Sequence, residues 1–544
     1  MWVLGVNAPP AGWHDASACL VDERGVIAAY GEEERFSRVK HSVNSGPAGA
    51  ASYCLAEAGI QPEDVDVVAA GWDVPYVSRL FPDHGAFTGS VDWLRKTLGW
   101  DVSWRNAPDV VFVRHHVAHA TVALHGSGYD SAAVVVVDGN GDDESISIFH
   151  ATPAGHLVRK RSWPMSHSLG WLYDATSRFI GLDFLDAGKT MGLAAYGRAR
   201  RLTPWPLMRP DGEDFLRPPF DTTDICSYDP VIRAWGRLFE EHAGYTPRVT
   251  SAELDKDPAA VATAWSAQRS VEEHLVRLAD LARTMTGESR VCLAGGVALN
   301  CCANGLIADP LYVPPVPHDA GVAIGAAWHV APPAIAPVMS PYLGCEPGLV
   351  AVADADLDGL IAQPLNVGQV REALAAGRLG AVVEGRAEAG PRALGHRSII
   401  ASAADAEMRN RINTVKSREQ WRPFAPVAAP ATAASLWERR DHLARYMIGS
   451  VAVGAKARAV MPAAVHVDGT CRPQELPDEG ADLLRALIGG DDGVLVNTSF
   501  NGRGQPIVNT AQDAIQAFRA MALDFLALDG TVYAKERGWW WCRR

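Results

Sequence analysis

Apolar residues gather along the first third of the chain into short continuous runs, each closed by turn residues, the pattern of strands buried on both faces. Residues 2 to 7 predict such a strand, Asp15 to Val21 a second after a Pro-Pro-Ala-Gly turn, and Val26 to Glu32 a third that completes a meander. The plan then repeats. Val110 to Val113 predicts a strand, Val134 to Asp138 another, and after the turn Asn140-Gly-Asp-Asp the chain returns as Glu144 to Phe149. Small-residue segments from Pro47 to Ala58 and from 116 to 127 predict helices between them. Val291 to Asn300 predicts strand, diglycine turn and helix start, and Asp319 opens a further helix of small residues. From Ala331 to Gly344 the chain is proline-rich without periodicity and reads as a linker. Beyond it lie an amphipathic helix near Val367 to Ala376 and strands at Gly380 to Val383 and from Val494. The expectation is two α/β domains, residues 1–335 and 345–544, which suits 544 residues, too many for one core.

Chemistry enters at the strand ends. In Arg114-His-His-Val-Ala-His119 a helical reading puts His115 and His119 four apart on one face, one turn from each other, which suits two ligands to one ion. Both follow a strand at its carboxyl end, where open α/β sheets hold ligands. Asp138 ends the next strand and supplies a carboxylate. The Gly139-Asn140-Gly141 that follows lets backbone N–H groups approach a phosphate or a metal-bound ligand, which favours a divalent metal site over ordinary polar residues at a helix start. Asp319 fits either a helix cap or a fourth ligand. His14 lies in the polar loop of the first hairpin, and Lys40 with His41 falls near the positive N-terminus of the 47–58 helix, where an anion can be held.

Glycine-punctuated Gly188-Lys189-Thr-Met-Gly-Leu-Ala-Ala-Tyr-Gly197 lacks the Walker spacing and is not read as a P-loop. Gly295 and Gly296 allow an adenosine to pack on backbone, with Asn300 as a ribose or phosphate partner; a tight turn is the alternative. In the second half, Arg386, Arg392 and Arg397 are spaced among glycines on one loop, a pattern for gripping phosphate oxygens. Lys416, Arg418 and Arg422 form a second basic cluster, His466, Arg472 and Gln474 follow, and the strand from Val494 ends in Asn497-Thr-Ser499-Phe-Asn501, rich in amide and hydroxyl groups.

Composition narrows the field. The net charge is −13, with 63 acidic against 50 basic residues, which argues against a large nucleic-acid footprint and leaves room for a local basic groove. Nine cysteines without a CxxC spacing suit reduced thiols. Absence of a charged leader and of a long uncharged apolar run predicts a cytoplasmic protein with no membrane partner. The tryptophan-rich tail from Gly538 reads as packing or interface, and the acceptor cleft is expected around Trp93, Trp100, Trp104 and the segment 200–250.

Two hairpins, each followed by strand–helix units, describe the duplicated fold of actin, sugar kinases and the Hsp70 ATPase. The motifs His14-Asp-Ala-Ser-Ala, Glu33-Glu-Arg-Phe36, His115-His-Val-Ala-His119, Gly188 to Gly197, Ala294 to Asn300, Gly390-Pro-Arg-Ala-Leu-Gly-His-Arg-Ser398 and Asn497 to Asn501 together resemble the carbamoyltransferases of nodulation and antibiotic biosynthesis. The resemblance covers nearly the whole chain. It implies an N-terminal domain of the actin-like, threonylcarbamoyl-transferase type and a C-terminal YrdC-like α/β domain, in which Lys416-x-Arg418 and Ser499-x-Asn501 hold ATP and the acyl group. It implies that carbamoyl phosphate and Mg²⁺-ATP give carbamoyladenylate in the C-terminal domain, and that the carbamoyl group passes to a small-molecule hydroxyl acceptor in the N-terminal one. His115, His119, Asp138 and Asp319 would hold a divalent ion, expected to be iron. His14 would be the base, with Lys416 and Arg418 catalytic in adenylation. Nucleotide and carbamoyl phosphate would be met by Lys40, Asn140, Gly141, Lys189, Gly295, Gly296, Asn300, Arg386, Arg392, Arg397, Lys416, Arg418, Arg422, His466, Arg472, Asn497, Ser499 and Asn501. Whether the chain acts as a monomer or a homodimer stays open.

Two other readings compete. A tRNA-modifying enzyme shares the N-terminal fold, but the acidic balance and the basic C-terminal loop count against it. A nucleotide sensor of the actin fold leaves that loop unexplained.

Overall fold

The computed structural model of the chain describes all residues except 9–13, 83–84, 154, 209–214, 223–226, 335–337, 439–441, 478–479, 490–492 and 536–544. The Pro-Pro-Ala-Gly turn and the tryptophan-rich tail lie outside the described residues. The chain forms two units: Met1–Ser37 with His41–Ser340, and Arg38–Lys40 with Pro341–Arg544.

The first unit holds two five-stranded sheets of one design. In the first, β1 (Trp2–Asn7), β2 (Ser17–Asp22) and β3 (Ile27–Glu32) make an antiparallel meander, while β4 (Val67–Ala70) runs parallel to β1 and β5 (Asp109–Phe112) parallel to β4. In the second, β6 (Ala132–Val137), β7 (Glu144–Ala151) and β8 (Leu157–Pro164) repeat the meander, with β9 (Val291–Ala294) parallel to β6 and β10 (Leu311–Tyr312) parallel to β9. The orders β3-β2-β1-β4-β5 and β8-β7-β6-β9-β10 coincide, so the duplication expected from the two hairpins is present in topology.

Every residue of β6, Ala-Ala-Val-Val-Val-Val, is buried, with the helices His115–Ser127 and Pro258–Thr286 packed against it. β-Branched residues fill such a doubly covered strand because they pack well on a pleated surface. The helix Val322–Val330 packs on β1 and on His115–Ser127. Gly325 makes the second approach possible: a Cβ there would stand 1.9 Å from Ala118 O, so only a residue without a side chain lets the backbones come that close.

The second unit is built on an eight-stranded sheet. Its strands are β11 (Leu360–Pro364), β12 (Gly380–Val383), β13 (Arg397–Ser402), β14 (Ala425–Ala428), β17 (Gln474–Glu475), β18 (Val494–Ser499), β19 (Phe525–Leu528) and β20 (Thr531–Lys535); β15 (Val451–Ala452) and β16 (Thr470–Cys471) pair separately. The order is β11-β20-β19-β12-β13-β18-β14-β17, parallel only at β19-β12 and β14-β17. Alternation along β12 and β13 sends Ala381, Val383, Ile399 and Ala401 to one apolar cluster and Val382 and Ile400 to another, so both faces are covered.

Candidate metal centre and anion site

The helix His115–Ser127 begins at His115, one residue earlier than its pattern suggested. Asp142, from the β6–β7 turn, fixes that start. Its Oδ2 accepts the His115 amide at 2.7 Å and lies 3.1 Å from Arg114 Nε, and its Oδ1 accepts the Asp73 amide at 2.8 Å. A carboxylate is favoured there because the first N–H groups of a helix lack partners within it and carry partial positive charge. Trp72 covers the His115 ring, with centroids 3.9 Å apart, and its indole donates to Asn7 Oδ1 at 2.9 Å.

His115, His119, Asp138 and Asp319 converge in the buried interior of the first unit, each offering one donor atom, all within 4.8 Å of one another. His115 Nε2 lies 3.1 Å from His119 Nε2 and 3.6 Å from both Asp138 Oδ2 and Asp319 Oδ1. His119 Nε2 stands 2.9 Å from Asp138 Oδ2 and 3.6 Å from Asp319 Oδ1. The tautomer of His115 is set by its other nitrogen: Nδ1 sits 3.1 Å from Gly71 O, a carbonyl that only accepts, so a neutral His115 turns the bare Nε2 lone pair to the cluster. Asp138 is divided likewise. Its Oδ1 accepts from the amides of Gly139 at 2.7 Å and Gly296 at 3.2 Å, while Oδ2 faces the histidines with no hydrogen-bond partner among the described residues. Gly295, at φ 92°, brings that turn against β6, where a Cβ would meet Val137 O at 2.2 Å. Asp319 opens a 3₁₀ turn, Asp319–Gly321, with His318 at the cap position, and its Oδ1 faces the two histidines.

The electrostatics ask for a cation. Two buried carboxylates beside two neutral imidazoles would be uncompensated negative charge, which is costly out of water. Burial pulls His115 down, yet Asp319 and Asp138 outweigh it and push it up to about 10. Burial and Asp138 raise Asp319, but the two histidines pull it down to about 2. Two imidazoles and two carboxylates fit a divalent first-row metal without selecting one. His116 turns away: it is buried beside Ser147 Oγ at 2.8 Å, and burial keeps it neutral.

His14 is paired with its neighbour. His14 Nδ1 lies 2.8 Å from Asp15 Oδ2, and His41 Nδ1 lies 2.9 Å from Asp15 Oδ1. Asp15 takes φ 57°, its amide donates to His41 O at 2.7 Å and its carbonyl accepts from Asn7 Nδ2 at 3.0 Å, so the bridging carboxylate is fixed from several sides. Burial pulls His14 down, but Asp15, with Asp319 and Asp138, more than reverses this and pushes it up to about 9.

The expected anion site at Lys40 and His41 is corrected. The N-terminus of the helix Ala48–Ala58 is filled by Glu33, whose Oε2 accepts the Ala50 amide at 2.8 Å, and His41 is tied to Asp15 and to Glu34, while Lys40 belongs with the second unit. Asn300 is also otherwise engaged: its Oδ1 caps the helix Cys301–Asn304 through the Ala303 amide at 3.1 Å, and its amide exchanges two 3.0 Å bonds with Gln268. Lys189, on the helix Ala187–Ala199, pairs with Asp186 at 2.8 Å. Asn140 and Gly141 form the tight turn of the β6–β7 hairpin, Gly141 donating to Glu144 O. Trp93 and Trp100 are buried, and Trp104 is 78% exposed.

In the second unit, Lys416, Arg418, Ser499 and Asn501 come together. Buried Lys416 donates through Nζ to the backbone oxygen of Ser499 and to Asn501 Oδ1 at 2.8 Å, and Ser499 Oγ donates to Asn501 Oδ1 at 2.8 Å. Ser417 takes φ 51°, a left-handed residue between the two cations. Burial, then Arg418, Arg422 and Lys40, drive Lys416 well below the usual lysine range. Burial, Arg422 and Arg472 do the same to Arg418 against the opposing pull of Glu419, and Arg418 Nε is buried with no hydrogen-bond partner among the described residues. Cations crowded this closely are destabilised until an anion arrives. Arg386 donates to Leu343 O at 3.3 Å, Arg392 and His466 are half-buried, and Asn497 is buried, its amide holding Ala393 O and Gln474.

Arg397 is the second correction. Its guanidinium is fully buried and donates to the carbonyls of Asn509, Glu384, Gly385, His396 and Cys345, which makes it a support of the loop instead of a phosphate grip. Glu388, which nothing in its sequence context singles out, organises the same loop. Its buried Oε1 accepts the amides of Leu394 at 2.6 Å, His396 at 2.8 Å and Arg397 at 3.2 Å, folding the basic loop around one carboxylate.

The model of the carbamoyltransferase N-terminus matches residues 3–328, and that of the carbamoyltransferase C-terminus matches residues 371–535. The chain belongs to the carbamoyltransferase family and is an enzyme that transfers carbamoyl groups. It is 32% identical to nodulation protein NolNO of Sinorhizobium fredii, over 98% of this chain and 80% of that protein. It is 29% identical to the 3'-hydroxymethylcephem-O-carbamoyltransferase of Amycolatopsis lactamdurans, over 96% of this chain and 98% of that one. Among solved structures, the activator of the 2-hydroxyisocaproyl-CoA dehydratase from Clostridium difficile is similar at a TM-score of 0.35 and 13% identity, covering 61% of this chain and 94% of that one, too loosely to argue from. Family membership removes the nucleotide-sensor reading. Among the described residues no helix is long and apolar enough to cross a membrane.

Proposed function

We propose that the chain is an ATP-dependent O-carbamoyltransferase that takes carbamoyl phosphate through carbamoyladenylate to a hydroxyl of a small-molecule natural product, with the two half reactions divided between its two units. The observation that carries this reading is the pairing, within one carbamoyltransferase chain, of a four-donor cluster in the first unit with a crowded cation cluster in the second. The actin-like and YrdC-like fold names belong to the same proposal.

In the second unit carbamoyl phosphate loses phosphate to water, and a carbamate oxygen attacks the α-phosphorus of Mg²⁺-ATP, so that pyrophosphate leaves with the electron pair of the broken P–O bond. Lys416, Arg418, Arg422 and Arg472, with Lys40, bind the phosphates, and Arg418 Nε, which has no hydrogen-bond partner among the described residues, donates to a phosphate oxygen. Ser499 and Asn501 hold the Lys416 ammonium in place.

In the first unit the acceptor hydroxyl attacks the carbamoyl carbon and AMP departs. His14 takes the hydroxyl proton at Nε2, and Asp15 orients the ring through Nδ1 and stabilises the imidazolium. His115, His119, Asp138 and Asp319 would hold a divalent ion, iron in our reading, which when bound supplies Lewis-acid stabilisation of phosphate charge. Incubation with ATP and carbamoyl phosphate tests the scheme: pyrophosphate release that needs both is expected, and its absence refutes the proposal. A mass-resolved screen of hydroxylated natural products then names the acceptor, and salt-sensitive retention of tRNA in place of any small acceptor would favour the nucleic-acid reading.

A further inference from the structure

Beside His14 the first unit carries a group of side chains that the chemistry above does not use. The helix Leu169–Phe179 is fixed at its start by Ser168, which caps it and donates to Asp138 O at 3.0 Å and Gly139 O at 2.6 Å, so this helix is registered against the metal cluster. Trp171, Asp174 and Arg178, spaced three and four apart, share one face of it. Trp171 packs on the Asp138–Gly139 turn, where a Cβ on Gly139 would lie 3.5 Å from the indole. From there aromatic rings run to the candidate base: Trp171 meets Tyr228 at 5.6 Å, Tyr228 meets Phe184 at 6.3 Å, and Phe184 meets the His14 ring edge-on at 5.4 Å.

Two polar atoms in this wall are left over. Asp174 Oδ2 and the Tyr228 hydroxyl are buried with no hydrogen-bond partner among the described residues. Arg178 stands 3.9 Å from Asp174 through Nε, too far for a hydrogen bond, and holds its guanidinium 5.1 Å over the Tyr228 ring. Burial pushes the Asp174 carboxyl up to about 6 against the opposing charges of Arg178 and His14. A carboxylate oxygen whose cation stands beyond hydrogen-bond reach and a phenol without a hydrogen bond are costly unless a ligand completes them. Phe184 meanwhile is a large apolar ring that is 40% exposed.

We infer that Trp171, Asp174, Phe184 and Tyr228 form the subsite that receives the carbamoyl acceptor, and that it takes a polyhydroxylated ring of the glycoside class which donates a hydrogen bond to Asp174. The inference rests on the reading of His14 as the transfer base. An apolar acceptor would satisfy the rings and leave both oxygens unpaired; a linear polyol would satisfy the oxygens and waste the rings. A sugar ring does both, laying its C–H face on an aromatic side chain while its rim donates to Asp174 Oδ2 and accepts from Tyr228. The donor is a ring hydroxyl or a ring ammonium group.

Saturation-transfer NMR on the full chain, with methyl α-glucoside and methyl α-glucosaminide as probes, tests this without turnover. Ring protons of at least one probe should be saturated by the wild type, and Asp174→Asn should weaken that binding by about tenfold or more, the loss of a charge-assisted hydrogen bond. A loss confined to the glucosaminide identifies ammonium as the donor, and an equal loss for both identifies hydroxyl. Should Asp174→Asn not fold, Tyr228→Phe, which deletes one oxygen, is read for a loss in the same way. Failure of both probes to bind, or binding that a folded variant leaves unchanged, overturns the inference. Pyrophosphate release by the wild type, measured on the same preparation, reports separately on the two-half-reaction scheme, so either can fail alone.

Discussion

Asp142 offers the sharpest test of the metal centre because it would touch no ion. Its two oxygens hold the amides of His115 at 2.7 Å and Asp73 at 2.8 Å, and Arg114 Nε lies 3.1 Å away. Asp142→Asn keeps the volume, removes the charge from the start of the His115–Ser127 helix, and turns one acceptor into a donor facing an amide. A hydrogen bond to a charged group is worth about 1.5 to 3 kcal/mol, and partners that orient metal-ligating residues typically govern affinity by about 10- to 100-fold. Since the amide lost belongs to His115 itself, most of that energy should appear as looser placement of its ring, and divalent-ion affinity should fall by about 10- to 100-fold. Competition of Co²⁺ or Zn²⁺ against a chromophoric chelator measures it, with circular dichroism to establish that the variant is folded. Wild-type affinity in a folded Asp142→Asn protein would refute the claim that this carboxylate positions the site.

His14→Asn should lower transfer by about 10²- to 10⁴-fold. Because the His14 pKa is raised to about 9, the base form gains population only as pH climbs towards that value, so wild-type transfer should rise with pH over this range, and the rise should vanish in His14→Asn and move to lower pH in Asp15→Asn; the same profile in all three proteins would exclude His14 as base. Lys416→Ala or Arg418→Ala should cut pyrophosphate release at least about tenfold, each having lost a charge-assisted phosphate contact, and supplied carbamoyladenylate should still be consumed. Gly325→Ala should cost about 1 to 3 kcal/mol by overpacking, read as a lower melting temperature, because its Cβ would stand 1.9 Å from Ala118 O.

What could be read in the sequence was whatever local periodicity encodes. The first meander and the β6–β7 hairpin follow from short apolar runs closed by turns, whereas the largely exposed β8, with Arg159, Lys160 and Arg161 in its middle, has no such run to announce it; the spacing of His115 and His119 follows from one helical turn. The misreadings have a common cause, since a charged or amide side chain looks the same in sequence whether it faces a ligand or its own backbone. Arg397 looks like a phosphate grip because it sits among glycines, yet five carbonyls claim it, one of them from Asn509 over a hundred residues on. Lys40 and His41 lie in sequence just before a helix N-terminus, but Glu33 already fills it. Asp15, Asp142 and Glu388 were missed because each acts through backbone amides or a neighbouring imidazole, contacts that no spacing rule announces.

The claim at the centre of the account is that carbamoyl activation and carbamoyl transfer use different residues of one chain. His115→Ala, incubated with ATP and carbamoyl phosphate and followed by both pyrophosphate release and acceptor carbamoylation, tests it directly: the account predicts release near the wild-type rate with transfer abolished, and loss of both activities in a folded variant would contradict it.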